Sequence, residues 1–312
     1  MEKDKISLYH VRTREKTVSL LLRPVLAALM SKGVTVNKVF YGEPKSKLSA
    51  AELYAGKNAK KPVLIYVHGG GWVKGSHAMR NPYCSRIAEI GFYVLNINYE
   101  LAPEAKHPVQ IRNIFRALSY AFQKKDEYNL DTENVFLAGD SSGAHLAALA
   151  AAVTVNPRLY DEFGIDFDGK EELKIKGLVL ISGIFEFLSC IGTSFPYADF
   201  YLRSYTGHDT RNIESEKIAE FWERPGIRET VPAPLVNPEY PPCIVFTGEG
   251  DPLHPSSEVF YRKLRENGVE ARYFSAEGKY AVHGFPLYDK NKNGQKAMSM
   301  VKEFLTERLN AE

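Results

Sequence analysis

Ser141 has the spacing of a catalytic nucleophile. It stands in the G-x-S-x-G stretch from Gly139 to Gly143, between an apolar strand candidate and an alanine-rich helix candidate. On such a turn the serine backbone is strained, and only glycine at the flanking positions lets strand and helix approach without a clash. Ser142 cannot act in this frame because its flanking residues would be Asp140 and Ala144, but its backbone N–H would lie beside the reacting carbon. So short a motif can arise by chance. A catalytic role for Ser141 therefore also requires oxyanion donors, a base and a group that orients the base.

A glycine-rich stretch, His68-Gly69-Gly70-Gly71-Trp72, directly follows the strand candidate Val63 to Val67. Serine attack on a carbonyl creates an oxyanion, which needs hydrogen-bond donors. Consecutive glycines can turn several backbone N–H groups toward one point. We therefore predict that this stretch is the oxyanion loop. We expect His68 to shape the loop and not to exchange a proton during the reaction.

A base and an acid follow in the order Ser, Asp, His that is typical of this kind of site. Asp251 comes just after the strand candidate Ile244 to Thr247, and His283 lies in the loop after Ala271 to Ser275. We expect His283 to take the serine proton and Asp251 to orient it, with Glu249 as the alternative acid. The other histidines are expected to be surface or packing residues, and His145, one turn after Ser141, to pack or form a hydrogen bond; they are His10, His77, His107, His208, His254 and His145.

The elements that must position these groups alternate between strand and helix from residue 62 onward. This order predicts an α/β fold with a mostly parallel, doubly wound sheet, in which catalytic groups gather at the carboxyl ends of the strands. Two hairpin-like stretches, Thr35 to Tyr41 and Leu48 to Tyr54, joined by a turn at 42–45, predict an antiparallel edge. A helix is expected after an Asn81 N-cap, and a buried helix over 142–153.

Two segments interrupt this order. Near the N-terminus, a helical stripe predicts either a packing helix or a pocket wall; it consists of Val18, Leu21, Leu22, Val25 and Leu29. Residues 184–235 are rich in aromatic side chains without a strand pattern, which predicts an insertion over the active face and an apolar pocket. Asp166 and Asp168 resemble a calcium loop, but the EF-hand frame fails, so we predict a surface loop.

Composition excludes several classes of function. The 312 residues are 44% hydrophobic, and 40 basic against 38 acidic residues leave a net charge of +2, which gives no electrostatic case for nucleic acid or a strongly charged membrane surface. Cys84, Cys190 and Cys243 show no paired spacing, which favours a reducing compartment and buried thiols. The apolar run near the N-terminus is interrupted by Arg23-Pro24, which argues against a signal peptide or stable membrane insertion. We expect a cytoplasmic protein and leave a homodimer open.

Four blocks resemble those of the α/β-hydrolase esterases of the hormone-sensitive-lipase-like family. They are residues 68–72 (HGGGW), 99–104 (YELAPE), 139–143 (GDSSG), and the pair 251–253 (DPL) with 283–285 (HGF). The resemblance implies one α/β-hydrolase domain over 1–312, with a cap from about 1–34 and 184–235. Departures from the family pattern occur at Glu100, at Ser142 and at the stretch 254–257, and they leave the substrate preference open.

Carried over to this chain, the resemblance implies that Ser141 is the nucleophile, His283 the base and then the acid, and Asp251 its orienter. The amides of Gly70, Gly71 and Ser142 would form the oxyanion hole.

We therefore expect a serine carboxylesterase that needs no metal or cofactor and hydrolyses small to medium neutral esters through an acyl-enzyme. Two alternatives stay open: an amidase or arylformamidase-like enzyme on the same triad, and a non-catalytic, hormone-receptor-like binding protein on the same fold.

Overall fold

The computed structural model describes residues 2–42, 48–56, 59–190, 197–210 and 213–311. Its strands are β1 (Val34–Phe40), β2 (Ser49–Ala55), β3 (Lys61–Val67), β4 (Tyr93–Ile97), β5 (Leu130–Asp140), β6 (Ile175–Ile181), β7 (Cys243–Gly248) and β8 (Ala271–Ala276). Within the described ranges they form one eight-stranded sheet in the order β1-β2-β4-β3-β5-β6-β7-β8. The β1/β2 and β2/β4 pairs are antiparallel and the others parallel, which confirms the predicted sheet and its antiparallel edge. Residues 43–45 of the predicted turn lie outside the described ranges.

Helices cover both faces of the sheet and part of the segment after β6. They are α1 (Glu2–Ala28), α2 (Asn81–Ala88), α3 (Val109–Gln123), α4 (Lys125–Tyr128), α5 (Ser142–Thr154), α6 (Arg158–Glu162), α7 (Ala198–Thr206), α8 (Ile218–Trp222), α9 (His254–Glu266) and α10 (Lys292–Asn310). The predicted N-cap of α2 is wrong by one residue, because Arg80 occupies that position. The Asn81 side chain instead accepts a hydrogen bond from Asn96 at 2.8 Å, which ties the start of α2 to β4.

The core lies on both sides of the central parallel strands. Helix α5 is buried from Ser142 to Val153, as its apolar sequence predicted, because it runs back across the sheet from β5. On the other side α10 buries Val301 and Phe304. The three cysteines are also buried, as predicted. Across the described ranges, no helix has an apolar run that could cross a bilayer.

Helix α1 contacts the rest of the protein through a face that the sequence stripe did not identify. The stripe predicted to pack is open to solvent: Val18, Leu21, Val25 and Leu29 are 40%, 72%, 48% and 39% exposed. What holds α1 instead is Arg12, whose guanidinium donates to the Val73 carbonyl at 2.8 Å and the Ala102 carbonyl at 2.9 Å. The same guanidinium forms a bidentate pair with Glu104. Inward packing is therefore wrong for these four residues, while Leu22 is half-buried and Val18 also lines the active-site cavity, as the pocket-wall alternative expects.

The segment 184–235 joins the body of the protein through a buried aromatic cluster. The Trp72 ring stacks on Tyr205 with centroids 4.6 Å apart, and its Nε1 donates to His145 Nδ1 at 3.3 Å. His145 Nε2 lies 2.8 Å from the Thr230 carbonyl and donates to it in the neutral tautomer. His145 therefore links the glycine loop, α5 and the inserted segment, which is a packing role as predicted. Phe195 lies outside the described residues.

Burial keeps three histidines near this cluster neutral. It lowers the pKa of His145 to about 3, that of His107 to about 3, and that of His68 to about 4. Each imidazole would lose its hydration shell if it were charged, and at His68 the Gly69 carbonyl and the Asp140 charge offset that cost only in part.

These pKa values predict that stability falls in acid. In an unfolded chain histidine titrates near pH 6.5, so between about pH 6.5 and about pH 3 the unfolded state binds more protons. The contribution of these neutral histidines to the free energy of unfolding should therefore be complete above about pH 6.5 and decrease as the pH falls through that window. Urea denaturation at a series of pH values measures it. His145→Gln should reduce the slope, whereas His10→Gln, at an exposed position, should not. A wild-type stability that stays constant through this window would contradict the account.

Candidate active site

Ser141 occupies a sharp turn between the last residue of β5 and the first residue of α5. Its backbone angles are φ 53° and ψ −122°, a strained conformation for a residue with a side chain. The turn depends on close backbone contact: a Cβ atom on Gly143 would lie 2.0 Å from the Val67 carbonyl oxygen, and one on Gly139 would lie 2.5 Å from Gly143. Both positions exclude any larger residue, so α5 leaves the sheet directly over the end of β3.

The carboxylate beside Ser141, that of Asp140, is held by a buried network. Arg80 donates to it through Nε at 2.8 Å and Nη2 at 2.6 Å, and the Tyr66 hydroxyl donates at 2.9 Å. Burial alone would raise the pKa of Asp140, but the Arg80 charge and these hydrogen bonds outweigh it and leave the pKa below its ordinary value. The network also reaches the glycine loop, because a Cβ on Gly69 would lie 2.5 Å from the Asp140 carboxylate.

The glycine loop is held from outside by the segment after β4. The Tyr99 hydroxyl donates to the His68 carbonyl at 3.1 Å, and the Ala102 amide donates to the Trp72 carbonyl at 3.0 Å. The His68 ring stacks on Tyr99 with centroids 4.5 Å apart, and its Nδ1 lies 2.9 Å from the Gly69 carbonyl. These contacts fix the loop at both of its ends.

Between these two ends the backbone takes angles that favour glycine. The φ angles are 142° at Gly70 and 58° at Gly71. Both residues line the same cavity as Ser141.

Asp251 and His283 form a hydrogen-bonded pair after β7 and β8. His283 Nδ1 lies 2.9 Å from Asp251 Oδ1, which also accepts the Leu253 amide at 2.9 Å. Burial would raise the pKa of Asp251, but the hydrogen bond and charge of His283 outweigh it, so the pKa lies below its ordinary value. Glu249, the alternative acid, is exposed.

Sequence reasoning missed Ser182, which supports the histidine loop. Its hydroxyl accepts the Gly284 amide at 3.0 Å, next to His283. Its own φ is 50°, a left-handed conformation directly after β6. The one signal in the sequence is a serine followed by glycine at a strand end.

Ser141, Gly70, Gly71 and His283 open onto one cavity of about 590 Å³. The expectation of an apolar pocket is wrong in part, because charged side chains also line the wall: Arg14, Glu15, Lys74, Arg80 and Asp140. The inserted segment contributes Tyr197 and Tyr201 to the wall, while its other described aromatic residues face the core. Burial raises the pKa of Glu15 above its ordinary value, against nearby Lys74 and the Gly75 amide. Over the described residues no three His, Cys, Asp or Glu side chains converge as metal ligands.

A family model described as the alpha/beta hydrolase fold matches residues 64–287. The chain belongs to this family. Within it, the similarity to esterases places the chain in the hormone-sensitive-lipase-like group that the sequence blocks indicated.

Two curated relatives and one solved structure illustrate the similarity. Esterase LipQ of Mycobacterium tuberculosis is 30% identical over 244 residues, covering 76% of this chain and 52% of LipQ. Esterase LipC of the same organism is 27% identical over 293 residues, covering 88% of this chain and 66% of LipC. The chain thus spans about half to two thirds of the length of these relatives. Esterase B of Lactobacillus rhamnosis has the same fold, with a TM-score of 0.80 at 20% identity over 99% of this chain and 98% of that one.

The residues at which this chain departs from the hormone-sensitive-lipase-like pattern lie away from Ser141 and His283, apart from Ser142. The Glu100 carboxylate accepts a hydrogen bond from Asn113 at 3.0 Å. Ser256, in the altered stretch 254–257, accepts the Phe185 amide at 2.8 Å and so anchors the start of the inserted segment. Ser142 is completely buried, and its hydroxyl interacts with the Tyr99 hydroxyl, which contacts the glycine loop.

Removal of the charge on Asp140 should destabilise the protein. Asp140→Asn leaves Arg80 without its anion, and breaking a buried ion pair in this way costs about 3–5 kcal/mol. Because the Arg80 side chain keeps 20% exposure, we expect a value near the lower end, measured by urea denaturation. The matched control is Lys263→Gln, which breaks an exposed pair with Glu266 and should cost less than about 1 kcal/mol. Equal losses for the two variants would contradict a structural role of the Asp140 network.

Proposed function

We propose that this chain is a serine carboxylesterase that acts on small to medium neutral esters without a metal or cofactor. One observation carries the proposal: a serine in a strained strand-to-helix turn opens onto the same cavity as a histidine that is hydrogen-bonded to a buried aspartate. Its membership of the α/β-hydrolase family and the esterase relatives support the same reaction class. The cavity wall carries charges of both signs, which favours a neutral substrate over a strongly charged one.

In this mechanism neutral His283 accepts the Ser141 hydroxyl proton while Ser141 Oγ attacks the ester carbonyl. The amides of Gly70, Gly71 and Ser142 stabilise the tetrahedral oxyanion. The C–O bond to the alcohol then breaks, and His283 returns the proton to the leaving alkoxide. Water, deprotonated by the same histidine, attacks the acyl-enzyme and releases the carboxylic acid and free Ser141.

Asp251 acts on the reaction through His283. Its carboxylate accepts a hydrogen bond from the Nδ1–H group, which selects the tautomer in which Nε2 is free to act as the base. When the imidazole takes the serine proton, the adjacent negative charge stabilises the imidazolium.

The cap proposal follows from where the two outer segments lie. Helix α1 contributes His10, Val11, Arg14, Glu15 and Val18 to the cavity wall, and the segment 184–235 contributes Tyr197 and Tyr201. We propose that both segments bound the substrate pockets within a single α/β-hydrolase domain.

The same groups could attack an amide carbonyl, so substrate preference needs its own measurement. Rates on short p-nitrophenyl esters and on formanilides, compared side by side, distinguish an esterase from an arylformamidase-like enzyme. Turnover of neither class, with retained ligand binding, would indicate the binding-protein alternative.

The proposal predicts that the carboxylate that orients His283 is that of Asp251 and not that of Glu249. Asp251→Asn should lower kcat on p-nitrophenyl butyrate by about 10⁴-fold, because an amide at this position favours the wrong imidazole tautomer. Glu249→Gln, two residues away on an exposed side chain, is the matched control and should change kcat little. If Glu249→Gln were the more damaging change, the assignment of the orienting residue would be wrong.

A further inference from the structure

Helix α1 presents an apolar stripe to solvent, and nothing in the described structure covers it. The stripe is formed by Val18, Leu21, Val25 and Leu29, spaced by three or four residues along one helical face and the residue just beyond it. The helix docks through an adjacent face that includes Arg12 and half-buried Leu22 and Leu26. A stripe of about four side chains over roughly 16 Å is more than the scattered apolar residues of an ordinary surface.

The stripe begins at the mouth of the active-site cavity. Val18 belongs both to the stripe and to the cavity wall. Two further wall residues, Tyr197 and Tyr288, are 59% and 61% exposed, so the mouth has an apolar and aromatic rim. Whatever covers the stripe would therefore also lie against the cavity opening.

The exposed charges of the helix segment itself are of one sign, although Glu104 and Glu89 from neighbouring elements contact it at Arg12 and Ser31. Between residues 8 and 33 the sequence has a single acidic residue, Glu15, and that side chain lines the cavity. The exposed charged residues of this stretch are all basic: Arg14, Lys16, Arg23 and Lys32. Arg14 lies one turn before Val18 on the same side of the helix, and Lys32 follows the other end. The near-neutral net charge of the whole chain conceals this local excess.

We infer that the exposed face of α1 binds an anionic lipid surface and brings the cavity mouth against it. An apolar stripe flanked by cations is the pattern of a helix that lies in the plane of a membrane interface, with its apolar side chains about 5–10 Å below the headgroups. Lysine and arginine side chains near an anionic leaflet strengthen such binding. Binding of this kind is reversible adsorption and does not need a membrane-spanning helix.

A second copy of the chain fits this face less well. Two copies that met along the stripe about a two-fold axis would place α1 antiparallel to α1, with Arg14 of one helix near Lys32 of the other. Such like-charge contacts oppose association, whereas lipid phosphates would neutralise the same side chains. The sequence-based expectation of no electrostatic case for a charged membrane surface rested on the net charge of the whole chain, and the inference departs from it for this helix.

Vesicle cosedimentation of the full chain tests the inference, and it needs no turnover. With phosphatidylcholine vesicles containing phosphatidylglycerol, the bound fraction should rise with the anionic lipid and fall as salt is added. Leu21→Glu, at the most exposed position of the stripe, should weaken partitioning by about tenfold or more, since it removes an inserted apolar side chain and adds a repelled charge. Turnover of a water-soluble ester should stay at the wild-type rate, because Leu21 does not line the cavity.

The matched control is Leu20→Glu, which makes the same charge change at a residue that is 51% exposed on another side of the same helix. It should bind vesicles nearly as well as the wild type. Equal loss in both variants, or no binding of the wild type to anionic vesicles, would overturn the inference. Sedimentation velocity tests whether a second copy of the chain covers the stripe instead. If the wild type is a dimer that does not bind vesicles, and Leu21→Glu converts it to a monomer, the stripe is a dimer interface and the inference is wrong.

Discussion

The buried ion pair between Arg80 and Asp140 is the interaction on which the rest of the site depends. Asp140 is covalently adjacent to Ser141, so its two hydrogen bonds to Arg80 hold the strained turn from one side. Its carboxylate also limits how close Gly69 can come, which fixes the distance between the glycine loop and the serine. Tyr66 on β3 completes the network and links the turn to the middle of the sheet. The strain at Ser141 can persist because these neighbours over-determine its position.

Around this point the fold brings together segments that are far apart in the chain. The carboxyl ends of β3, β5, β7 and β8 carry the glycine loop, the serine, the aspartate and the histidine at one edge of the parallel sheet. His145, kept neutral by burial, connects α5 to Trp72 and to the inserted segment, so the glycine loop, α5 and the inserted segment share one buried cluster. Arg12 connects α1 to this cluster, because its guanidinium binds the carbonyls of Val73, next to Trp72, and of Ala102, whose amide binds Trp72. The elements that bound the proposed substrate pocket thus each contact the glycine loop or the segment after β4 that is hydrogen-bonded to this loop.

The sheet was predictable because strands and helices alternate with strong apolar patterns, and the edge hairpin because its two stretches are short and separated by turn residues. The candidate site residues could be named because each follows a predicted strand. Contacts between residues far apart in the chain could not be predicted from local sequence patterns. Arg80 is 60 positions from its partner, and no periodicity connects a buried carboxylate to a distant cation. Likewise, the stripe on α1 shows that the helix is amphipathic, but it does not show that Arg12 binds two backbone carbonyls on another face of the helix. The charged wall of the cavity was missed because α1 supplies Arg14 and Glu15 from the edge of that stripe.

The proposed hydrolytic site combines a strained serine, a hydrogen-bonded histidine–aspartate pair and a glycine loop, with Ser141 as the proposed nucleophile. Reaction with a fluorophosphonate, followed by peptide mapping with mass spectrometry, tests this claim most directly. The account predicts a single covalent adduct on the peptide that contains Ser141, and no adduct in a folded Ser141→Ala variant. Absence of labelling in the wild type, or equal labelling of the Ser141→Ala variant, would contradict it.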